Sequence, residues 1–238
     1  MKKIFSLCLL SIFLFCMIVS PGIGQKTLEV LEKIIEAQGG RNVLGNIKDT
    51  TMKGTMDIVM SGMSGALTMT MKEPNMMRMD IEMMGMVLTQ AYDGKIAWGT
   101  DPQGNVEEMT EEQTADLRRG AYGNDVILNP DKYGVTFALR DTENIEGKDY
   151  YVMVLIFPDG YQLPFHIDSK TYLPYKSTMT GNQIGVEVES FFSDYRKVEG
   201  TMIPFVHKVF QNGKEFMTMT FTEVKFNSGI KDSFFKMD

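Results

Sequence analysis

Apolar and polar residues alternate along most of this chain, and Gly, Asn, Asp or Pro break the runs, a pattern that predicts antiparallel strands joined by short turns. The alternating segments are 50–60, 65–72, 76–83, 86–92, 95–99, 134–145, 149–157, 161–168, 172–180, 186–194, 201–211 and 214–226, about ten strands once neighbours merge. "YDGK", "FPDGY" and "QNGK" are hairpin turns by composition. Connections this short pair sequence neighbours in one large sheet. Two stretches carry a helical period instead. "KTLEVLEKIIEAQGG" sets Leu28, Leu31, Ile34 and Ile35 on one face, with Thr27 as the expected cap and Gly39-Gly40 as the stop. "TEEQTADLRRG" pairs Thr110 with Gln113 as a capping box, and places Glu111 and Glu112 at its start and Arg118 and Arg119 at its end. No Pro/Ser linker, repeat or charge block divides residues 25–238, which read as one domain.

The faces of these strands are unequal. Over 76–83, Met77, Met79, Ile81 and Met83 point one way and Arg78, Asp80 and Glu82 the other. Leu67, Met69 and Met71 oppose Thr68, Thr70 and Lys72, and Met52, Met56, Ile58 and Met60 oppose Lys53, Thr55 and Asp57. Later strands extend the apolar face with Tyr161, Leu163, Phe165 and Ile167, and with Met217, Met219 and Phe221. Methionine is unbranched and pliable, and walls rich in it recur at binding surfaces that accept variable shapes. Two short helices cover little of such a sheet, so a groove for an acyl chain is expected. Its predicted wall is Met56, Leu67, Met69, Met71, Met77, Met79, Ile81, Met83, Phe165, Met217 and Met219. The bland rival is a closed core that happens to use methionine.

Composition narrows the chemistry. Lys2 and Lys3 precede an apolar run from Ile4 to Val19 that ends among small residues, the order of a cleaved secretory leader, here residues 1–24. Both cysteines, Cys8 and Cys16, lie inside that leader, so the exported chain has no disulfide, thiolate site or cysteine nucleophile. Leu7 and Phe15 precede them where a lipid-attachment site needs a small residue, which predicts a soluble product without its own lipid. The net charge of −7 and the lack of a basic stretch exclude a phosphate-backbone partner.

No catalytic constellation stands out. "GMSGA" nearly matches a nucleophile elbow around Ser64, but no strand-turn-helix context follows, and it reads as a hairpin turn. His166 and Asp168 fall on the outward side of "YQLPFHID", and His207 reads as structural. Asp80/Glu82 and Glu187/Glu189 are wet-face charges by pattern. The "MTM", "MRM" and "MMGM" spacings also suit copper(I) or silver, since residues two apart share a strand face. That reading is set second because only His166 and His207 are available and the sulfur lies in β-forming runs. No metal and no cofactor is assigned.

"EAQGGRNVLGNIKDTTMKGTM", "AYDGKIAWGTDP", "EGKDYYVMVLIFPDG", "HIDSKTYLPYK", "SDYRKVEGTMIPFVHKVF" and "VKFNSGIKDSFFKM" occur in an order and spacing that resembles the LolA/LolB-type outer-membrane lipoprotein-sorting superfamily. The resemblance runs from about Lys26 to Met237. It implies a mainly β fold, an incomplete antiparallel β-barrel of about eleven strands lidded by short α-helices. It also implies a periplasmic, monomeric carrier without catalysis, which takes lipoprotein or lipid cargo from an inner-membrane exporter to an outer-membrane receptor. The strand arginine that holds the lid in that family is matched to no residue of this sequence, so Arg41, Arg78 and Arg140 take no such role, and the methionine wall is heavier than the family's aliphatic and aromatic lining. A thioether metal chaperone and a non-binding envelope module remain the alternatives.

Overall fold

The computed structural model describes residues 24–101, 103–180 and 186–237. The leader expected over 1–24 lies outside them except for Gly24. Two helices come first, α1 (Gln25–Gln38) and α2 (Arg41–Asn46). Six strands follow: β1 (Asp49–Ile58), β2 (Met63–Lys72), β3 (Met76–Met83), β4 (Met86–Tyr92), β5 (Ala97–Thr100) and β6 (Val106–Glu108). Then come α3 (Glu111–Gly120), α4 (Asn124–Leu128) and a 3-10 turn at Pro130–Tyr133. The second run of strands is β7 (Thr136–Leu139), β8 (Glu143–Ile145), β9 (Lys148–Ile156), β10 (Gln162–Asp168), β11 (Pro174–Thr180), β12 (Glu187–Val198), β13 (Thr201–Gln211) and β14 (Lys214–Phe226). A last 3-10 turn spans Asp232–Phe235.

All pairings are antiparallel, in the order β6-β5-β4-β3-β2-β1-β14-β13-β12-β11-β10-β9-β7, with β8 alongside β9. Two meanders are therefore joined where β1 meets β14, and β6 and β7 remain as open edges. This is an incomplete antiparallel barrel with flanking helices, built from fourteen strands instead of about eleven. The excess comes from short edge pieces: β6 was not predicted, and 134–145 divides into β7 and β8 because Asp141 and Thr142 leave the ladder after the Arg140 N–H bonds the Val152 carbonyl at 2.9 Å.

Register confirms the faces read from alternation. Met52 lies opposite Met69 and Met69 opposite Met79, while Gly54, Leu67 and Ile81 form the next row. The helices sit on this concave side. Val30, Leu31, Ile34 and Ile35 of α1 join Leu44, Val126, Phe137, Met153 and Ile167 in the largest core. Leu28, expected on that face, is exposed, and Val30 takes its place. Thr27 does not cap α1: it lies buried within the first turn, where its Oγ1 accepts the Leu139 N–H at 3.3 Å, and Gly24 stands at the N-cap. Gly39 ends the helix at φ 134°, where an added Cβ would lie 2.8 Å from the Gly200 carbonyl oxygen. In α3 the capping box between Thr110 and Gln113 is present with both bonds.

The convex side is less wet than the pattern predicts. After β14 the chain crosses it, held by buried Asp49, whose carboxylate accepts the N–H groups of Ser228 (2.7 Å), Gly229 (3.0 Å) and Ile230 (3.3 Å). Phe235 is then fully buried, and its carbonyl accepts the Trp98 indole N–H at 2.8 Å. The Arg78 guanidinium lies 4.6 Å from the Phe234 ring centroid and bonds Asp80, so neither is a solvated face charge. No helix among the described residues is long and apolar enough to cross a membrane.

Candidate ligand-binding cavity

A cavity of about 310 Å³ lies between the concave face and the short helices. Leu44 closes it from α2 and Ile47 from just after that helix, Tyr122 and Ile127 from around α4, Met52 and Met71 from β1 and β2, Phe165 and Phe192 from β10 and β12, and Ile203 and Phe226 from β13 and β14. Few polar groups face it, chiefly Glu73, Asn124 and Thr201. A mostly apolar hollow with a few convergent polar groups is the usual form of a small-molecule site.

The eleven wall residues predicted from sequence share this concave side but not one environment. Met71 and Phe165 line the cavity. Met56 and Leu67 are buried in a second cluster with Met52, Phe205 and Phe221, against which Met69, Met79, Ile81, Met217 and Met219 pack while half-buried. Met77 packs beneath α3 with Tyr92, Ala97, Ala121 and Leu117. Met83 is buried beside Gly65, where an added Cβ would come 3.1 Å from its own. The wall is thus a half-covered trough running out of the cavity. Strand alternation missed the helix-borne part, Leu44, Ile47, Tyr122 and Ile127, and also missed Glu73. The short helices have no period long enough to read, though "GNDVILNP" carries both a Gly start and a Pro stop.

Glu73 follows β2, and its carboxylate accepts the N–H groups of Asn124 at 2.7 Å and Asp125 at 3.0 Å, so it caps α4 from a distance. Gly123 is needed there: a Cβ would lie 2.4 Å from a Glu73 carboxylate oxygen. Burial pushes the Glu73 carboxyl above the ordinary glutamate range, against the opposing effect of those N–H groups. Bonds from Lys132 and Tyr133 hold Asp125 down at about 2. Tyr195 donates to the Pro174 carbonyl at 2.7 Å, and burial raises its phenol.

Helix α3 is tied to the β9–β10 turn. Arg119 bonds Asp116 at 2.9 Å and Asp159 in the β9–β10 turn at 2.6 Å, with its guanidinium 4.1 Å from the Tyr161 ring centroid. Tyr122 stacks on Phe157, with ring centroids 5.6 Å apart. Arg119, which reads from the sequence as a helix-end charge, therefore links the helix that follows one open edge to the strands at the other.

The remaining candidates separate. Ser64 is exposed at the start of β2. His166 faces the convex side as predicted, but it is buried, and its Nε2 lies 2.8 Å from Glu143. Asp80 bonds Arg78 and Thr89, and Glu189 bonds Lys176, so both carboxylates serve ion pairs or hydrogen bonds in the sheet. His207 lies on the concave face, and burial lowers it to about 4.

An open antiparallel half-barrel, cradling an apolar cavity under short helices, defines a class of fold. This chain has the LolA-like fold. A LolA superfamily protein from Nitrosomonas europaea matches with a TM-score of 0.62 at 15% identity, over 89% of this chain and 97% of that one. A domain named as an outer-membrane lipoprotein-sorting protein from Vibrio parahaemolyticus matches at 0.60 and 14%, over 88% and 96%. A DUF1329 family protein from Desulfovibrio piger matches at 0.59 and 15%, over 88% and 97%. No family model and no curated protein matches the sequence.

Proposed function

We propose that this chain is a non-enzymatic carrier, exported to the periplasm, that holds an acyl chain of a lipoprotein or another lipid in the cavity and along the methionine trough. The observation that carries this reading is the cavity itself: about 310 Å³, apolar on nearly every side, and continuous with the face on which Met69, Met79, Met217 and Met219 lie half-covered. Its volume is at the lower end of the roughly 300–1,000 Å³ usual for small-molecule sites, which suits one chain better than several. Lipoprotein sorting enters from the name of the Vibrio domain with the same fold. An inner-membrane donor and an outer-membrane acceptor are the partners such traffic requires.

The test is titration of the purified chain with a fluorescent fatty-acid probe, alongside thermal unfolding. Saturable binding of about one probe per chain is expected. Met71→Glu places a charge in the cavity wall, which must be desolvated or neutralised when a ligand enters. It should weaken binding at least tenfold while unfolding stays cooperative. A wild-type chain that binds no acyl probe, with Met71→Glu globally unfolded, would overturn the carrier reading.

A further inference from the structure

We propose that His207, Met219 and Met56 form a binding site for a soft monovalent cation, copper(I), on the concave face. The three lie in one row across three strands: His207 of β13 is directly opposite Met219 of β14, and Met219 is directly opposite Met56 of β1. Directly opposed side chains have Cβ atoms about 5 Å apart, so thioethers with three rotatable bonds can converge on a ring nitrogen in the same row. Met217 lies two residues before Met219 on the same face.

The state of the imidazole is what separates this row from other methionines of the sheet. One ring nitrogen bonds the Pro204 backbone carbonyl, and Nε2 is buried without a hydrogen-bond partner among the described residues. A carbonyl only accepts, so Nδ1 carries the proton and Nε2 presents a lone pair. A backbone carbonyl that fixes one nitrogen and leaves the other free is the usual outer arrangement of a metal-ligating histidine. Phe192 and Phe221 hold the ring on either side, with centroids at 5.1 and 5.2 Å and near-perpendicular planes. Among the described residues no hydrogen-bond donor meets the lone pair, so its desolvation is not offset by the protein. Imidazole with thioether sulfur, without carboxylate or thiolate, selects copper(I) or silver(I) over zinc, magnesium or calcium. His166 is the internal contrast, since it lies on the opposite face and pairs with Glu143. In the sequence the thioether runs stand apart from both histidines, and only the β13–β14 register brings His207 to Met219.

This site does not depend on acyl binding, and the two are measured separately. The experiment titrates the leaderless chain with silver(I) as a redox-inert probe, and with copper(I) under anaerobic reducing conditions against a chromophoric chelator. One equivalent should bind. Met219→Leu, which nearly conserves volume, and His207→Phe should each weaken it at least tenfold. Met60→Leu and Met84→Leu, at exposed hairpin tips, should leave it unchanged. In nuclear magnetic resonance spectra silver(I) should shift the His207 ring and the Met219 and Met56 methyl signals, and not the His166 ring. Binding that survives Met219→Leu, or silver shifts spread over the exposed methionines, would overturn the proposal.

Discussion

Glu73 shows how much one side chain can depend on residues far from it in sequence. It reads as an ordinary charge at the end of a strand, yet it sits in the cavity wall and satisfies two N–H groups of a helix fifty residues on. Its carboxyl is raised by burial, so the native state holds the proton more tightly than the unfolded chain does. The linkage sign follows: this group's contribution is most favourable below the ordinary glutamate value of 4.5 and is lost as pH rises through the raised native value. Glu73→Gln keeps an acceptor and removes the titration. Urea unfolding of both proteins between pH 4 and 7 should show the variant gaining relative to wild type as pH rises, and a constant difference would refute the assignment. At the other side of the sheet the Asp49 carboxylate likewise accepts backbone N–H groups remote from it in sequence. Its environment was unreadable because its partners, Ser228 to Ile230, arrive only when the chain end folds back.

At the scale of elements, α3 was legible in full because its signals are local. Thr110, Gln113, two acidic residues and two arginines each act within a turn of their own position. What α3 does was not legible, since the tie to Asp159 depends on where the β9–β10 turn ends up. The two roles separate by mutation. Thr110→Ala should cost about 1 kcal/mol of helix stability through loss of the cap. Arg119→Leu keeps apolar bulk over Tyr161 but removes both carboxylate bonds, and it should raise amide exchange throughout α3 with little change in the global unfolding midpoint. Equal exchange in wild type and Arg119→Leu would mean that helix packing alone, through Leu117 and Ala121, holds α3 down.

At the scale of the whole molecule, the two meanders share sheet hydrogen bonds only through β1 and β14. That junction requires Gly54 beside the irregularity at Lys53/Gly54: an added Cβ would lie 2.0 Å from the Thr220 carbonyl oxygen and 2.7 Å from Phe221 Cα, both backbone atoms. Gly54→Ala should therefore destabilise the fold by about 3 kcal/mol. Urea unfolding followed by the fluorescence of Trp98, the single tryptophan, measures it, and an unmoved midpoint would show that β14 can shift to make room.

The sequence alone determined the strands, the side of each that is apolar, the two longer helices and the concentration of methionine on one face. Each of these is a periodic or nearest-neighbour property, written by side chains that act within a few residues of themselves. The tertiary structure decided the rest. Which part of the apolar face is packed and which stays open depended on where α2 and α4 dock. Whether Arg78 and Asp80 stay solvated depended on the last dozen residues crossing the convex side. His207 came to face Met219 through the register of two strands. These are distances between residues remote in sequence, set by chain closure and packing, and alternation within a strand carries no information about them.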